Sequence, residues 1–366
     1  MTVTRDSNGP QIVIDAALDP STAIGLDLAG WERLLSCARR NAVLAYIAKR
    51  TVAAGLIDAV PDAPRAAMLS ALASAARLAQ LALWELERVH RVMRTVGIPM
   101  IALKGVAYLL RGMPHAGSRI ISDIDVMVEH RRIDEAENAL LAAGWRGTKL
   151  DPYDQRYYRK WSHEIPPLRF PGRVLSVDVH HTICPPVSRL RPKPEAFWKN
   201  SIESAHHGVG LLSPADSFLH GAVHLFFDSD FDGRFRDLLD LHEMLTLFAS
   251  EDEFWTLLVE GARAQGLGRP LYYALDTLPR ILRTPVPVEV LREVRQFRPP
   301  PQVDLWMART LHAMLMPADP EVWPLAHGGR RWLMYARSHW LRMPPYLLLP
   351  HLLRKAWRSV RAASPE

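Results

Sequence analysis

The chain has 366 residues, 48% of them hydrophobic and 23% charged, which gives the length for two domains and excludes a disordered or low-complexity class. A net charge of +6 fits an anionic partner such as a nucleotide, a nucleic acid or a membrane surface without choosing among them. Two cysteines, Cys37 and Cys184, are too few for a disulfide framework and stand in no C-x-x-C pair, so free thiols in a reducing cytoplasm are the expectation.

The first residues, MTVTRDSNGPQIVIDAALDPS, carry no apolar run behind a basic start, so no secretory signal is expected. From about Ala23 to Val96, segments such as WERLLSCARRNAVLAYIAKRT place apolar residues at helical spacing and predict several helices. Gly97 ends that pattern, and IPMIAL reads as a short buried strand. Lys104-Gly105 opens a short helix, VAYLLRG, and a loop with Pro114 and Gly117 leads to a second strand, SDIDVMV. A helix, IDEAENALLAAG, closes at Gly144, and WRGTKL is a further strand candidate. The stretch from Asp151 to Pro192 is irregular except for the strand-like VLSVDVHHTI. Beyond Leu211 helices return, broken by FRPPPQVD and MPPYLLLP. No segment reads as a membrane span, because the apolar stretch PPYLLLPHLL is about half the length a bilayer needs. There is no internal repeat. The predicted class is α+β: a small mixed-sheet unit over 97–192 between helical regions 1–96 and 193–329, followed by a basic aromatic tail, 330–366.

Strand alternation sends Asp123, Asp125, Met127 and Glu129 to one side and Ile124, Val126 and Val128 to the other. Two like charges on one face repel unless water or a cation stands between them; a solvated edge strand is the plain alternative. Residues i and i+2 of a strand have Cα atoms about 6–7 Å apart, from which two carboxylates can converge on shared divalent ions. Asp178 shares a strand face with Ser176 and His180 and supplies a third carboxylate. Three such groups suit magnesium or manganese and a substrate phosphate. Lys104 stands where strand turns to helix, with a phosphate grip and a snorkelling lysine as its two readings. Arg119 could pair with a phosphate or neutralise Asp123.

The order ALKGVAYLLRG, a loop ending in Arg119, SDIDVMV, a helix ending AAGW, then a histidine segment and VDVHHTI resembles the uncharacterised nucleotidyltransferases of the DNA polymerase beta superfamily. The resemblance spans Ile98 to Ile183 closely and the flanking helices more loosely. It implies metal ligation by Asp123, Asp125 and Asp178, and phosphate binding near Lys104 and Gly105, with a nucleoside triphosphate as donor. One departure stands out: most of that superfamily carries a Gly-Ser pair at the start of the helix before the aspartates, where this chain has Lys104-Gly105. Gly117-Ser118 lies too close to Asp123 to serve as that pair.

His163, in WSHEIPPLRF, and His180 are the imidazoles expected to face the site, with acceptor orientation, phosphate binding or a loop hydrogen bond as their roles; His181 points to the opposite face. Further on, His220 and His224 share a helix face, and Arg236, Asp237 and Asp240 cluster on the next. A histidine-aspartate metal hydrolase is an alternative for these, although the chain has no His-Asp dipeptide, and buried contacts walling a nucleotide cleft are the preferred reading.

The leading function is Mg2+- or Mn2+-dependent transfer of a nucleoside monophosphate to an acceptor that is a small molecule, RNA, protein or peptide. The competing class is a non-catalytic nucleotide, peptide or RNA binder on the same fold. From Arg330 on, Arg331, Arg337, Arg342, Arg354, Lys355, Arg358 and Arg361 face a lone acid, Glu366, among five aromatic residues, which predicts peripheral contact with an anionic surface or a packing segment with a solvated basic face.

Overall fold

A computed structural model of the chain describes residues 9–148, 150–204, 208–227, 231, 233–320, 328–350, 352 and 354. The alternation in SDIDVMV is realised as a strand, β2 (Asp123–Met127), whose parallel neighbour is β5 (Ser176–His180). Ile124 and Val126 of β2 and Val177 and Val179 of β5 are fully buried on one face, where each contributes about 1.5–3 kcal/mol. Around this pair the sheet adds β1 (Ile101–Ala102), β3 (Arg146–Gly147), β4 (Leu168–Arg169), β6 (Ile202–Glu203) and β7 (Gly210–Leu211), in the order β3-β4-β5-β2-β1-β7-β6. β2–β5 and β1–β7 are parallel and the remaining pairings antiparallel, so the sheet is mixed and the class is α+β. Its last two strands lie beyond Pro192. The outer strands are two residues long, which leaves little unpaired edge.

The apolar face of the sheet rests on one long helix, Asp62–Thr95, through Ala82, Leu86, Val89 and Met93, and on Ala136 and Leu140 of the helix Ile133–Ala142. By length and composition the 34-residue helix could cross a membrane, although Ser70, Ser74, Arg77 and Gln80 break it into short apolar runs. Here its first half buries Met68 in the helical core and its second half underlies the sheet. Glu85 is buried on it and held by Arg173 at 2.8 Å and the Trp145 indole at 3.1 Å.

The second core joins both ends of the chain. Trp31, Leu34 and Ile47 of the early helices pack with Phe218, Phe226, Phe235 and Phe248 of the later ones. Asn41 closes this core with a reciprocal pair of bonds: its amide donates to the Ala318 carbonyl at 2.9 Å and its carbonyl accepts from the Ala318 N–H at 2.8 Å.

Arg119 fastens the sheet to these helices. Its Nε donates to Asp240 at 2.8 Å and its Nη2 lies 3.7 Å from Asp237, both on the helix Phe235–Phe248. Arg119 thus forms its salt bridges with Asp240 and Asp237 rather than with Asp123, on which its charge acts only as a smaller lowering influence. Gly105 makes room for the guanidinium, since a Cβ there would stand 2.9 Å from Arg119 Nη1. Asp151 caps a helix, Pro152–Trp161, by accepting from the Tyr153 N–H at 2.7 Å, in a stretch expected to be irregular. The Asp-Pro pair at its start was the available signal.

Arg119→Met would strip the buried Asp240 of its guanidinium partner, while Asp237 would keep Arg234 at 2.7 Å. We expect a loss of about 3–5 kcal/mol in stability, measured by urea denaturation; a change below about 1 kcal/mol would show that the clamp is not a stabilising element.

Candidate active site

The register of β2 on β5 fixes the site. Asp125 stands opposite Asp178, Asp123 opposite Ser176 and Met127 opposite His180, so the three aspartates and His180 share the face away from the apolar core. Asp125 is 2% exposed, and its Oδ1 accepts from Lys104 Nζ at 2.7 Å and lies 2.9 Å from His180 Nε2. Lys104 begins the helix Lys104–Leu110 with φ of +48°, a left-handed conformation that glycine adopts freely and lysine does not. The ion pair with Asp125 is the contact that holds it there. Asp123 is less buried, and its hydrogen-bond donor is the Ser122 hydroxyl at 3.2 Å.

The three carboxylates titrate differently because their partners differ. Burial alone would raise the Asp125 carboxyl, but the Lys104 charge and the His180 hydrogen bond outweigh it and hold it well below the usual range. Burial pushes Asp123 up, with the Asp125 charge adding to the effect. Burial raises Asp178 to about 7, again with Asp125 and Glu164 adding their repulsion, and its Oδ1 is buried without a hydrogen-bond partner. Burial tends to neutralise the Lys104 ammonium, yet Asp125 keeps it charged.

The segment His163–Ile165 runs antiparallel to the end of β5, with the Ile165 N–H donating to Val179 O at 3.0 Å and the His181 N–H to His163 O at 2.9 Å. This brings His163 beside His180, with ring centroids 5.2 Å apart. Burial, then the His180 ring and Lys104, hold the His163 ring well below its usual range. It also delivers Glu164, a residue absent from the sequence-based candidates, 3.4 Å from His180 Nε2 and 3.8 Å from His163 Nε2. His181 lies on the other face, with its Nε2 3.1 Å from the Ser162 carbonyl oxygen and its ring against His130.

A cleft of about 370 Å³ opens over these groups. Lys104, His163, Glu164 and Asp178 form its polar floor, and Tyr157, Tyr158, His224, Phe227 and Arg342 are among its walls. Asp125 lies beneath Lys104. A larger groove, about 1150 Å³, runs along the β6–β7 edge and is lined by none of the three aspartates, whereas Asp178 lines the smaller cleft. Of the helical histidines, His224 lines the cleft and lies 3.0 Å from Arg234, while His220 is buried. Arg342 ends the helix Gly328–Arg342, the first part of the basic tail, which is docked rather than free: Arg337 donates to Phe226 O at 3.0 Å and the Arg189 N–H to Leu341 O at 2.8 Å. Lys355, Trp357, Arg358 and Arg361 lie outside the described residues. Among the described residues, His163, Glu164 and His180 bring three ligand atoms within 4.8 Å of one another.

A mixed sheet whose neighbouring parallel strands carry three aspartates on one face, with Asp178 lining a cleft beside Lys104, Arg342 and aromatic walls, has the make-up of a nucleotidyltransferase-like unit. The chain belongs to the uncharacterised nucleotidyltransferase family, which it matches over residues 27–283. Among solved structures it is similar to an antigenic nucleotidyltransferase-like protein from Paracoccidioides brasiliensis, at 16% identity over 58% of this chain and 95% of that one, with a TM-score of 0.33. A comparison with curated proteins gives no match.

The raised Asp178 carboxyl makes a stability prediction. Between its ordinary value of 3.8 and its folded value of about 7, the folded chain keeps a proton that the unfolded chain has released, so stability falls as pH rises through that window. In EDTA, Asp178→Asn should leave stability near pH 4 almost unchanged and raise it at pH 8 by on the order of 1–3 kcal/mol, read from urea melts at both values. An equal effect at the two pH values would place the cause in packing rather than charge.

Proposed function

We propose that the chain is a Mg2+- or Mn2+-dependent nucleotidyltransferase that moves a nucleoside monophosphate from a nucleoside triphosphate to an acceptor hydroxyl and releases pyrophosphate. The observation that carries this reading is the parallel register of β2 and β5, which sets Asp123, Asp125 and Asp178 on one face, with Asp178 lining a cleft. The buried, partnerless oxygen of Asp178, and a carboxyl raised by burial and by the neighbouring Asp125 and Glu164 charges, fit a site built to hold a cation. Oxygen donors of this kind suit a hard divalent ion, and Asp123, Asp125 and Asp178 would hold it. When bound, such an ion stabilises charge on the transferred phosphoryl group as a Lewis acid.

The protein's own groups supply the rest. Lys104 and Arg342 bring positive charge to the cleft for the outer phosphates, and Tyr157, Tyr158 and Phe227 offer aromatic faces to a base. Asp178, whose buried Oδ1 has no hydrogen-bond donor and which lines the cleft, is the group placed to take the acceptor proton. The acceptor oxygen bonds the α-phosphorus as the bond to the β-phosphate oxygen breaks. The electron pair departs with pyrophosphate, and the proton rests on Asp178. The acceptor is a small molecule, RNA, protein or peptide. A second reading, a nucleotide binder without turnover, draws on one observation: the Lys104 ammonium already neutralises Asp125.

Incubating the full chain with Mg2+ and each α-labelled triphosphate, with and without cell extract, should move label to an acceptor. Asp123→Asn is the cleaner variant, because Asp125 also anchors Lys104 and His180, and it should lower transfer about a hundredfold or more. Bound label that never transfers would leave the binder. For the lysine, Lys104→Ala should weaken triphosphate binding roughly tenfold or more, and monophosphate binding much less, by calorimetric titration. Equal weakening would put Lys104 outside the contact with the outer phosphates.

A further inference from the structure

The chemistry of the cleft floor is not all oxygen. Glu164 Oε2 lies 3.4 Å from His180 Nε2 and 3.8 Å from His163 Nε2, and the three ligand atoms fall within 4.8 Å of one another. Bonds of about 2.0–2.2 Å to a tetrahedral cation would set their ligand atoms roughly 3.4 Å apart. The cluster is thus near that size before any ion binds, and a small closing movement of His163 would complete it.

Two further observations point to a cation here. Asp178, which lines the same floor beside Glu164, has a buried oxygen with no donor. The Nδ1 atoms of His163 and His180 are buried without partners, so either ring can carry its proton there and turn the Nε2 lone pair toward Glu164. If His180 Nε2 turns to a cation, Asp125 still keeps Lys104 as its counter-charge at 2.7 Å.

Two imidazoles and one carboxylate are poor company for Mg2+, which takes oxygen ligands and keeps its waters. They suit zinc, cobalt or nickel. We propose that His163, Glu164 and His180 form a second cation site beside the aspartates, selective for a transition divalent cation of the zinc type. The assignment rests on the nucleotidyltransferase reading only in leaving Mg2+ to Asp123, Asp125 and Asp178. Its single strand-borne ligand, His180, links the sites through Asp125, while His163 and Glu164 come from the segment between the helix Pro152–Trp161 and β4. A cation there faces the cleft and offers an open position to an anionic or carbonyl group of the acceptor.

The test uses the full chain stripped with EDTA and dialysed against zinc in millimolar Mg2+, with metal content read by plasma mass spectrometry and the cobalt form by visible absorption. One equivalent of zinc should survive the Mg2+, and cobalt should show the intense bands of a low-coordinate site with nitrogen ligands. His163→Gln and Glu164→Gln, both partly exposed, should each lower zinc affinity by more than the roughly 10–100-fold attached to outer-shell partners. Asp123→Asn should retain the zinc. Displacement of zinc by Mg2+, an octahedral all-oxygen cobalt spectrum, or loss of zinc in Asp123→Asn but not in His163→Gln would each overturn the site. The cobalt spectrum needs no variant, so a variant that fails to fold leaves the question decidable. Label transfer with Mg2+ alone is measured separately, so failure of the transferase reading and failure of this site give different results.

Discussion

The pairing of β2 with β5 is the constraint from which the site follows. Two like carboxylates about 5 Å apart repel by roughly 3 kcal/mol at an effective dielectric of about 20. On the reverse face, Ile124, Val126, Val177 and Val179 together contribute about 6–12 kcal/mol of burial. The apolar side decides the register, and Asp125 is brought opposite Asp178 as its consequence. A one-residue slip of β2 would turn its aspartates into the core and its aliphatic residues into the cleft, so the arrangement has no near competitor.

Having been forced together, the charges are only partly relieved. Asp125 is satisfied by Lys104 and His180, and a lysine is held in a backbone conformation it would not otherwise choose. Asp178 is left under-compensated, in a fold that elsewhere pairs its buried acids closely: Glu85 with Arg173, Glu243 with Tyr46, Asp240 with Arg119. That contrast within one molecule separates Asp178 from the carboxylates that hold the fold, and perturbed groups of this kind gather at functional sites.

Much of the strand unit was legible in the sequence because period-two alternation survives in both SDIDVMV and VLSVDVHHTI, and the acids fall on its polar phase. The lengths of the outer strands were not, since IPMIAL and WRGTKL each contribute only two residues to the ladder. The partners of Arg119 could not be read, because Asp240 is 121 positions away and only the packing of a later helix brings it near. Glu164 was hidden by Pro166 and Pro167, which mask a strand-like segment that bridges to His180 at a single position. Arg342 reads as one more charge in a basic tail until the docking of its helix carries it to the cleft wall. Alternation within a segment shows in the sequence, whereas convergence between segments does not.

The reciprocal amide bonds of Asn41 with Ala318 span 277 positions, and β1 at Ile101 finds its outer neighbour only at Gly210. Ribosomal synthesis therefore delivers the early helices, and half of the sheet, well before the segments that cover them. Until then Trp31, Leu34 and Ile47 have no later helix to pack on, and the inner strand β1 has an open edge. Closure of such distant contacts is slow, so the nascent chain passes through a long interval with exposed apolar surface, in which chaperone binding competes with aggregation. The cleft is among the last features to form, and the segment 97–192 contains its aspartates without containing the helices that make them a site.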